Sequence, residues 1–238
     1  MESIQVPETA HRRVRLAARA IGRAHLAHAY GHCSQRLDAH HFLVSPARPM
    51  GLIGTSECGV VVPVDGPLPA GVLGEVRIHQ QIYLRRADVG GIVRFQSPHL
   101  MALSTLGRTP LPRHGFGAYF APGVPLWRDP RLLRNDEASR GLAEQLGAAR
   151  AIVMRGNGAV SVATTLEDAT VLAWYLEDAA RVELEVLASG QAGELLSLEE
   201  AADRAVTDGR LFERMWEYLT AGDPEAETEH ESGDKHER

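Results

Sequence analysis

Glu75 and His79 stand four residues apart in a stretch whose apolar residues recur at helical spacing, so both side chains fall on one helix face. A carboxylate with an imidazole one turn away is a general acid/base arrangement in outline. A glutamate opening a helix is also favoured by the helix dipole with no further role, and His79 either orients Glu75 or is an ordinary packed histidine. Arg94 lies inside the apolar run 89–95, and an arginine there needs a partner. It either forms a structural ion pair with Glu75 or offers a cation to a substrate carboxylate or an oxyanion. Gln96 and Asn157 can donate hydrogen bonds to a developing oxyanion, although Asn157 between Gly156 and Gly158 also suits a tight turn. Arg155 would add a second cation for an anionic substrate. His99, His114 and Tyr119 are further candidates from their Gly- and Pro-rich surroundings.

Composition removes several chemistries. The sole lysine is Lys235, so every basic residue of the body is arginine or histidine. A Schiff base, pyridoxal phosphate attachment and a P-loop all need a folded-body lysine, and arginine stays protonated and is a poor nucleophile. No GxGxxG follows a strand, which argues against a Rossmann domain. No cofactor is therefore expected. Residues 222–238 hold seven acids against Lys235 and Arg238, which accounts for −5 of the formal charge of −6. The nearly neutral body offers no electrostatic reason to expect nucleic acid as a partner. The polar first ten residues do not resemble a signal peptide, and no apolar stretch is long enough to span a membrane. Cys33 and Cys58 form no framework, so a cytoplasmic, reduced setting is expected.

These residues need elements to position them. Spacing predicts helices over 8–30, 72–86, 99–106, 136–146 and 165–189, and a last one from Ser197 to about Leu219. Capping boxes are expected at Thr164 with Glu167 and at Ser197 with Glu200. Short strands are expected within 31–64 and over 89–95, 151–154 and 159–163, with a Gly/Pro-rich loop over 110–130. The mixture lacks strict βαβ alternation. It predicts one three-layer α/β/α domain over 1–221 with a central mixed, largely antiparallel sheet, and an acidic, flexible tail over 222–238.

Four segments in order resemble the class II aldolase/adducin family. They are Gly31-His32-Cys33-Ser34-Gln35-Arg36 followed by Phe42-Leu43-Val44-Ser45-Pro46; Glu75 with His79, leading to Tyr83; Ile92-Val93-Arg94-Phe95-Gln96-Ser97-Pro98; and Val153-Met154-Arg155-Gly156-Asn157-Gly158 with the helix that follows. Metal-dependent members of that family hold a divalent ion with three histidines and the glutamate. The matching positions here are Arg94, Gln96, Asn157 and Glu75, so only the glutamate survives. Imidazole suits zinc, whereas arginine has no lone pair and adds positive charge. No metal is expected. Where sugar-phosphate aldolases have a phosphate-binding Ser-Ser pair, this chain has Leu73-Gly74, and the asparagine of the first segment is His32. The fourth segment, together with Ser45-Pro46-Ala47-Arg48-Pro49, resembles the hydroxy-aromatic acid decarboxylase branch.

The resemblance implies a lyase-type, metal-independent enzyme acting on a small unphosphorylated carbonyl or carboxylate compound. Glu75 would move the proton, with Arg94, Gln96 and Asn157 supplying charge stabilisation. His32, Ser34, Ser45, His79, His99, His114, Tyr119 and Arg155 are candidates to contact substrate. A homotetramer is expected from resemblance alone. The alternatives are a non-catalytic, adducin-like scaffold and a relocated metal site using Glu75, His79 and His99 or His114. All three replacements are hydrogen-bond donors, which favours the enzyme.

Overall fold

The computed structural model describes residues 4–226. A seven-stranded sheet runs through the molecule in the order β3-β2-β1-β4-β7-β6-β5. Its strands are β1 (His32–Arg36), β2 (His41–Val44), β3 (Val60–Pro63), β4 (Gly91–Phe95), β5 (Leu126–Trp127), β6 (Ala151–Met154) and β7 (Gly158–Ala163). Every pairing is antiparallel except that of β5 with β6. Among the described residues seven helices cover the sheet: α1 (Glu8–Arg23), α2 (Arg77–Arg85), α3 (Pro98–Thr105), α4 (Asp136–Leu146), α5 (Leu166–Ala188), α6 (Leu198–Arg204) and α7 (Leu211–Thr220).

The period-2 alternation of the strands divides the core in two. In β4, Val93 and Phe95 face a layer built by α1, α3, α5 and α7. Ile92 faces the other way, into a layer with Ile78 and Ile82 of α2 and Leu142 and Leu146 of α4. Each such side chain removed from water contributes about 1.5–3 kcal/mol. Arg94 shares its parity with Ile92, so the pleat itself turns the guanidinium toward the α2 layer. The expected three-layer architecture with a mixed, largely antiparallel sheet is what the chain forms.

Several boundaries differ from the sequence-based expectation. The first helix stops at Arg23 rather than near Tyr30, because His25 takes a positive φ of 56° and the Leu26 amide returns to the Ile21 carbonyl at 3.1 Å. The helix expected from residue 72 begins as a 3-10 turn over Gly74–Val76. Thr165, not Thr164, caps α5, accepting from the Asp168 amide at 3.1 Å. The Ser197–Glu200 capping box forms, but the last helix is two helices, separated where Gly209 and Arg210 adopt positive φ. The boundary placed at 221/222 lies inside a packed cluster, since Asp223 and Glu225 bind arginines of α1. The remainder of the expected tail, 227–238, lies outside the described residues. Among the described residues no helix is long and apolar enough to cross a membrane.

Candidate active site

Register and turn geometry gather the site. The antiparallel pairing of β1 with β4 sets His32 directly opposite Arg94, on the sheet face covered by α2. The 3-10 turn before α2 holds Glu75 over the same place. Asn157 arrives from the β6–β7 turn. Gly158, at φ 81°, lets that turn press against the end of β4, where a Cβ would meet the Phe95 carbonyl oxygen at 2.0 Å.

Arg94, 1% exposed, donates from one terminal nitrogen to Asn157 Oδ1 at 2.8 Å and lies 3.2 Å from Glu75 Oε2. Gln96 Nε2 donates to the same Asn157 oxygen at 2.8 Å. Guanidinium has only donors, so the Asn157 atom facing it must be the oxygen and the amide nitrogen must face elsewhere. That nitrogen is buried without a protein partner, as are Glu75 Oε1, Arg94 Nε and His32 Nε2. Burial lowers the Arg94 pKa from its ordinary value, and the Glu75 carboxylate opposes that shift.

Behind this cluster runs a buried hydrogen-bonded chain. His32 Nδ1 is 2.8 Å from His79 Nε2, and His79 Nδ1 is 2.6 Å from Ser34 Oγ. Ser34 Oγ is 2.9 Å from the Tyr83 hydroxyl, which also donates to the Ser34 carbonyl at 3.1 Å. Burial pushes both imidazoles toward the neutral form, helped by the Arg94 charge. His32 falls well below the ordinary histidine value, and His79 falls to about 3.

The cluster opens on a cleft of about 320 Å³ lined by Tyr30, His32, Arg48, Leu73, Glu75 and Arg134. A larger groove of about 570 Å³ runs along α4 between Trp127 and Glu144, but it contains none of these groups. The donor set does not suit the divalent ion that the fold family implies. A guanidinium stands against the single carboxylate, and Gln96 and Asn157 supply only amides.

The structure brings Glu75, Arg94, Gln96, Asn157 and His32 together, with His79 and Ser34 behind them. The other candidates lie elsewhere. The Ser45 hydroxyl accepts from the Cys33 amide at 3.2 Å. The His99 amide and Nδ1 both bind Glu177 Oε1. His114 Nε2 faces Asp178 at 3.8 Å, and the Tyr119 hydroxyl donates to the Val206 carbonyl. Arg155 is exposed and donates to the Arg128 carbonyl. Among the described residues no three His, Cys, Asp or Glu side chains converge as a metal site, so the relocated site of Glu75, His79 and His99 or His114 does not assemble. Sequence reasoning missed Arg134, which packs over Gly74 from the loop before α4, and Tyr83, which ends the buried chain. Tyr83 carried a signal, because it lies one turn beyond His79 on the same helix face.

This fold is that of the class II aldolases. Residues 12–184 match the model of the class II aldolase and adducin N-terminal domain, and the chain belongs to that family. Among characterised relatives, the 3,4-dihydroxyphthalate decarboxylase of Arthrobacter keyseri is 28% identical over 200 residues, spanning 75% of this chain and 79% of that protein. Its counterpart in a Terrabacter species is 26% identical over 187 residues, spanning 72% and 78%. Among solved structures, L-fuculose-1-phosphate aldolase of Thermus thermophilus superposes with a TM-score of 0.69 at 25% identity, covering 80% of this chain and all of that one. An aldolase II superfamily protein of Pseudomonas syringae gives 0.74 at 22% identity, covering 90% and 92%.

Proposed function

We propose that this protein is a lyase that decarboxylates a small hydroxylated aromatic acid without a metal ion. Four buried, unpartnered polar atoms carry the reading: Glu75 Oε1 and His32 Nε2, on residues that line one cleft, and Arg94 Nε and Asn157 Nδ2, on residues linked to Glu75 through the Arg94 guanidinium. Buried polar groups are nearly always satisfied, so a cluster of exceptions beside an opening marks where a ligand's polar groups belong. The set contains a cation for a carboxylate, an amide donor for a developing oxyanion and a carboxylate for proton transfer. The decarboxylase names of the relatives supply the reaction class.

In the proposed step Arg94 holds the substrate anion. A ring hydroxyl pushes electron density to the carbon bearing the carboxylate, and Glu75 delivers a proton there. The carbon–carbon bond breaks, its electron pair restores the aromatic ring and CO2 departs. Glu75 then recovers a proton from solvent, so one proton is consumed per CO2 released. A single guanidinium is a weaker electrophile than zinc, which is why the substrate must be activated by its own hydroxyl. Exposed Tyr30 and Leu73 at the cleft mouth support a homo-oligomer, proposed to be a tetramer, in which a neighbour covers that edge. Light scattering that gives the monomer mass at micromolar concentration would count against it.

The deciding experiment measures CO2 release from a panel of hydroxylated benzoates and phthalates, using enzyme dialysed against chelator and checked by elemental analysis. Turnover of at least one acid by metal-free enzyme is expected. Activity that appears only after a divalent metal is added would overturn the metal-independent reading, and no turnover across the panel would overturn the substrate class.

A further inference from the structure

The chain from Tyr83 to His32 has a direction, and the direction follows from its bonds. The Tyr83 hydroxyl donates to the Ser34 carbonyl oxygen, which can only accept. Its single proton is then committed, so in the 2.9 Å contact between the two hydroxyls Ser34 Oγ is the donor. With its own proton given to Tyr83, Ser34 Oγ must accept from His79 Nδ1. A neutral imidazole carries one N–H, so His79 Nε2 is the acceptor and His32 Nδ1 donates to it. His32 has then used its only proton, and Nε2 is a bare lone pair. With both rings neutral, no other arrangement of protons satisfies all four contacts. The residues that fix it are buried: His32 is 2% exposed, Ser34 and His79 are fully enclosed, and Tyr83 is 2% exposed.

We infer that His32 Nε2 is a fixed hydrogen-bond acceptor in the cleft, selecting ligands that carry a hydroxyl beside their anionic group. His32 lines the cleft with Glu75, and its Nε2 has no protein partner. Its strand partner is Arg94, so the acceptor and the cation sit side by side across one rung of the sheet. A ligand that gives its carboxylate to Arg94 and a hydroxyl proton to His32 fits this pair. A second carboxylate oxygen at the His32 position would meet a lone pair and be rejected. Ser34, His79 and Tyr83 are positioning residues, because each acts only by fixing which nitrogen of the next ring bears hydrogen. The inference rests on the proposed substrate class only for the choice of test ligands.

Two measurements on the full chain decide it. In the first, nitrogen-15 NMR of histidine-labelled wild-type protein assigns the protonated nitrogen of each buried ring. His32 is expected to be protonated at Nδ1 and bare at Nε2, with His79 likewise protonated at Nδ1. Tyr83→Phe frees the Ser34 hydroxyl to donate to His79, and a shift of the His32 proton toward Nε2 is expected. In the second, calorimetry compares 3,4-dihydroxyphthalate with phthalate, which lacks the hydroxyls. The wild type should prefer the hydroxylated ligand by at least about tenfold, equivalent to about 1.4 kcal/mol. His32→Leu should erase that preference while phthalate still binds. A proton on His32 Nε2 in the wild type, or a preference that survives His32→Leu, overturns the inference. If neither ligand binds while Nε2 is bare, the acceptor stands and the proposed substrate class is what fails.

Discussion

Among the described residues the molecule buries arginines in two places, and it treats them in opposite ways. On α1, Arg15 donates from Nε and both terminal nitrogens to Glu225, the Glu57 carbonyl and Glu8. Arg19 does the same with Asp223, the Ile53 carbonyl and Glu225. Every guanidinium nitrogen has a partner, and the neighbouring carboxylates raise both pKa values above the ordinary one. Arg94 is as deeply buried, yet its Nε is unpartnered, its carboxylate partner stands at 3.2 Å, and its pKa is lowered because burial outweighs compensation. A saturated arginine ties the C-terminal segment to α1. An unsaturated one, paired to the cleft residue Glu75, keeps bonding capacity to spare. The difference between structure and site is thus visible in how completely the charge is compensated.

The largest effect that would separate the two regions is on rate. Glu75→Gln should lower kcat by about two to four orders of magnitude on a turned-over substrate while the fold and the oligomer are kept. Arg94→Met should raise KM as well as lower kcat, since the cation acts in both the ground and transition states. Full activity in Glu75→Gln would reduce that carboxylate to a structural counterion.

Next in size is the α1 cluster. Asp223→Ala leaves Arg19 with Glu225 as its remaining carboxylate and removes the Arg23 ion pair, and it should destabilise the protein by about 3 kcal/mol in denaturant titration. Activity per folded molecule should not change, and a loss of specific activity at full stability would break the comparison.

Acidification should sharpen the contrast further. His32 and His79 bind protons readily when unfolded but not when folded, so the stability they contribute is present above pH 6.5 and is lost as pH falls toward their depressed folded values. Each should steepen the decline by about 1 kcal/mol per pH unit, and His79→Gln should flatten it between pH 4 and 6.5 in thermal melts. Asp223, held near pKa 2 against an ordinary 3.8, makes its loss only below that window.

The smallest effect is the stability cost of Arg94→Met. Glu75 is 16% exposed at an open cleft and can hydrate once its partner is gone, so the cost should stay below about 2 kcal/mol. A penalty equal to that of Asp223→Ala would make Arg94 a structural arginine after all.

The fold was legible because local patterns and global architecture agree. The alternation of β4 put Arg94 on the opposite face from Val93 and Phe95, and the helical spacing of Glu75, His79 and Tyr83 lies in the residue order alone. The absence of a body lysine, and the replacement of three metal-binding histidines by Arg94, Gln96 and Asn157, needed no coordinates. Other features depended on residues far apart in the chain. Helix ends at His25 and Arg210 escaped notice because non-glycine residues adopt positive φ there only when tertiary packing holds them. The acids at 223 and 225 read as solvated tail until α1 supplied cations from two hundred residues away. Arg134 has no local signature, and it joins the cleft only because its loop folds over Gly74. Sequence by itself determined which side chains are available and which face each one takes, since period and sterics are local. Only the tertiary structure decided which of them meet and which polar atoms remain unpartnered, because register, loop approach and burial are sums over the whole chain.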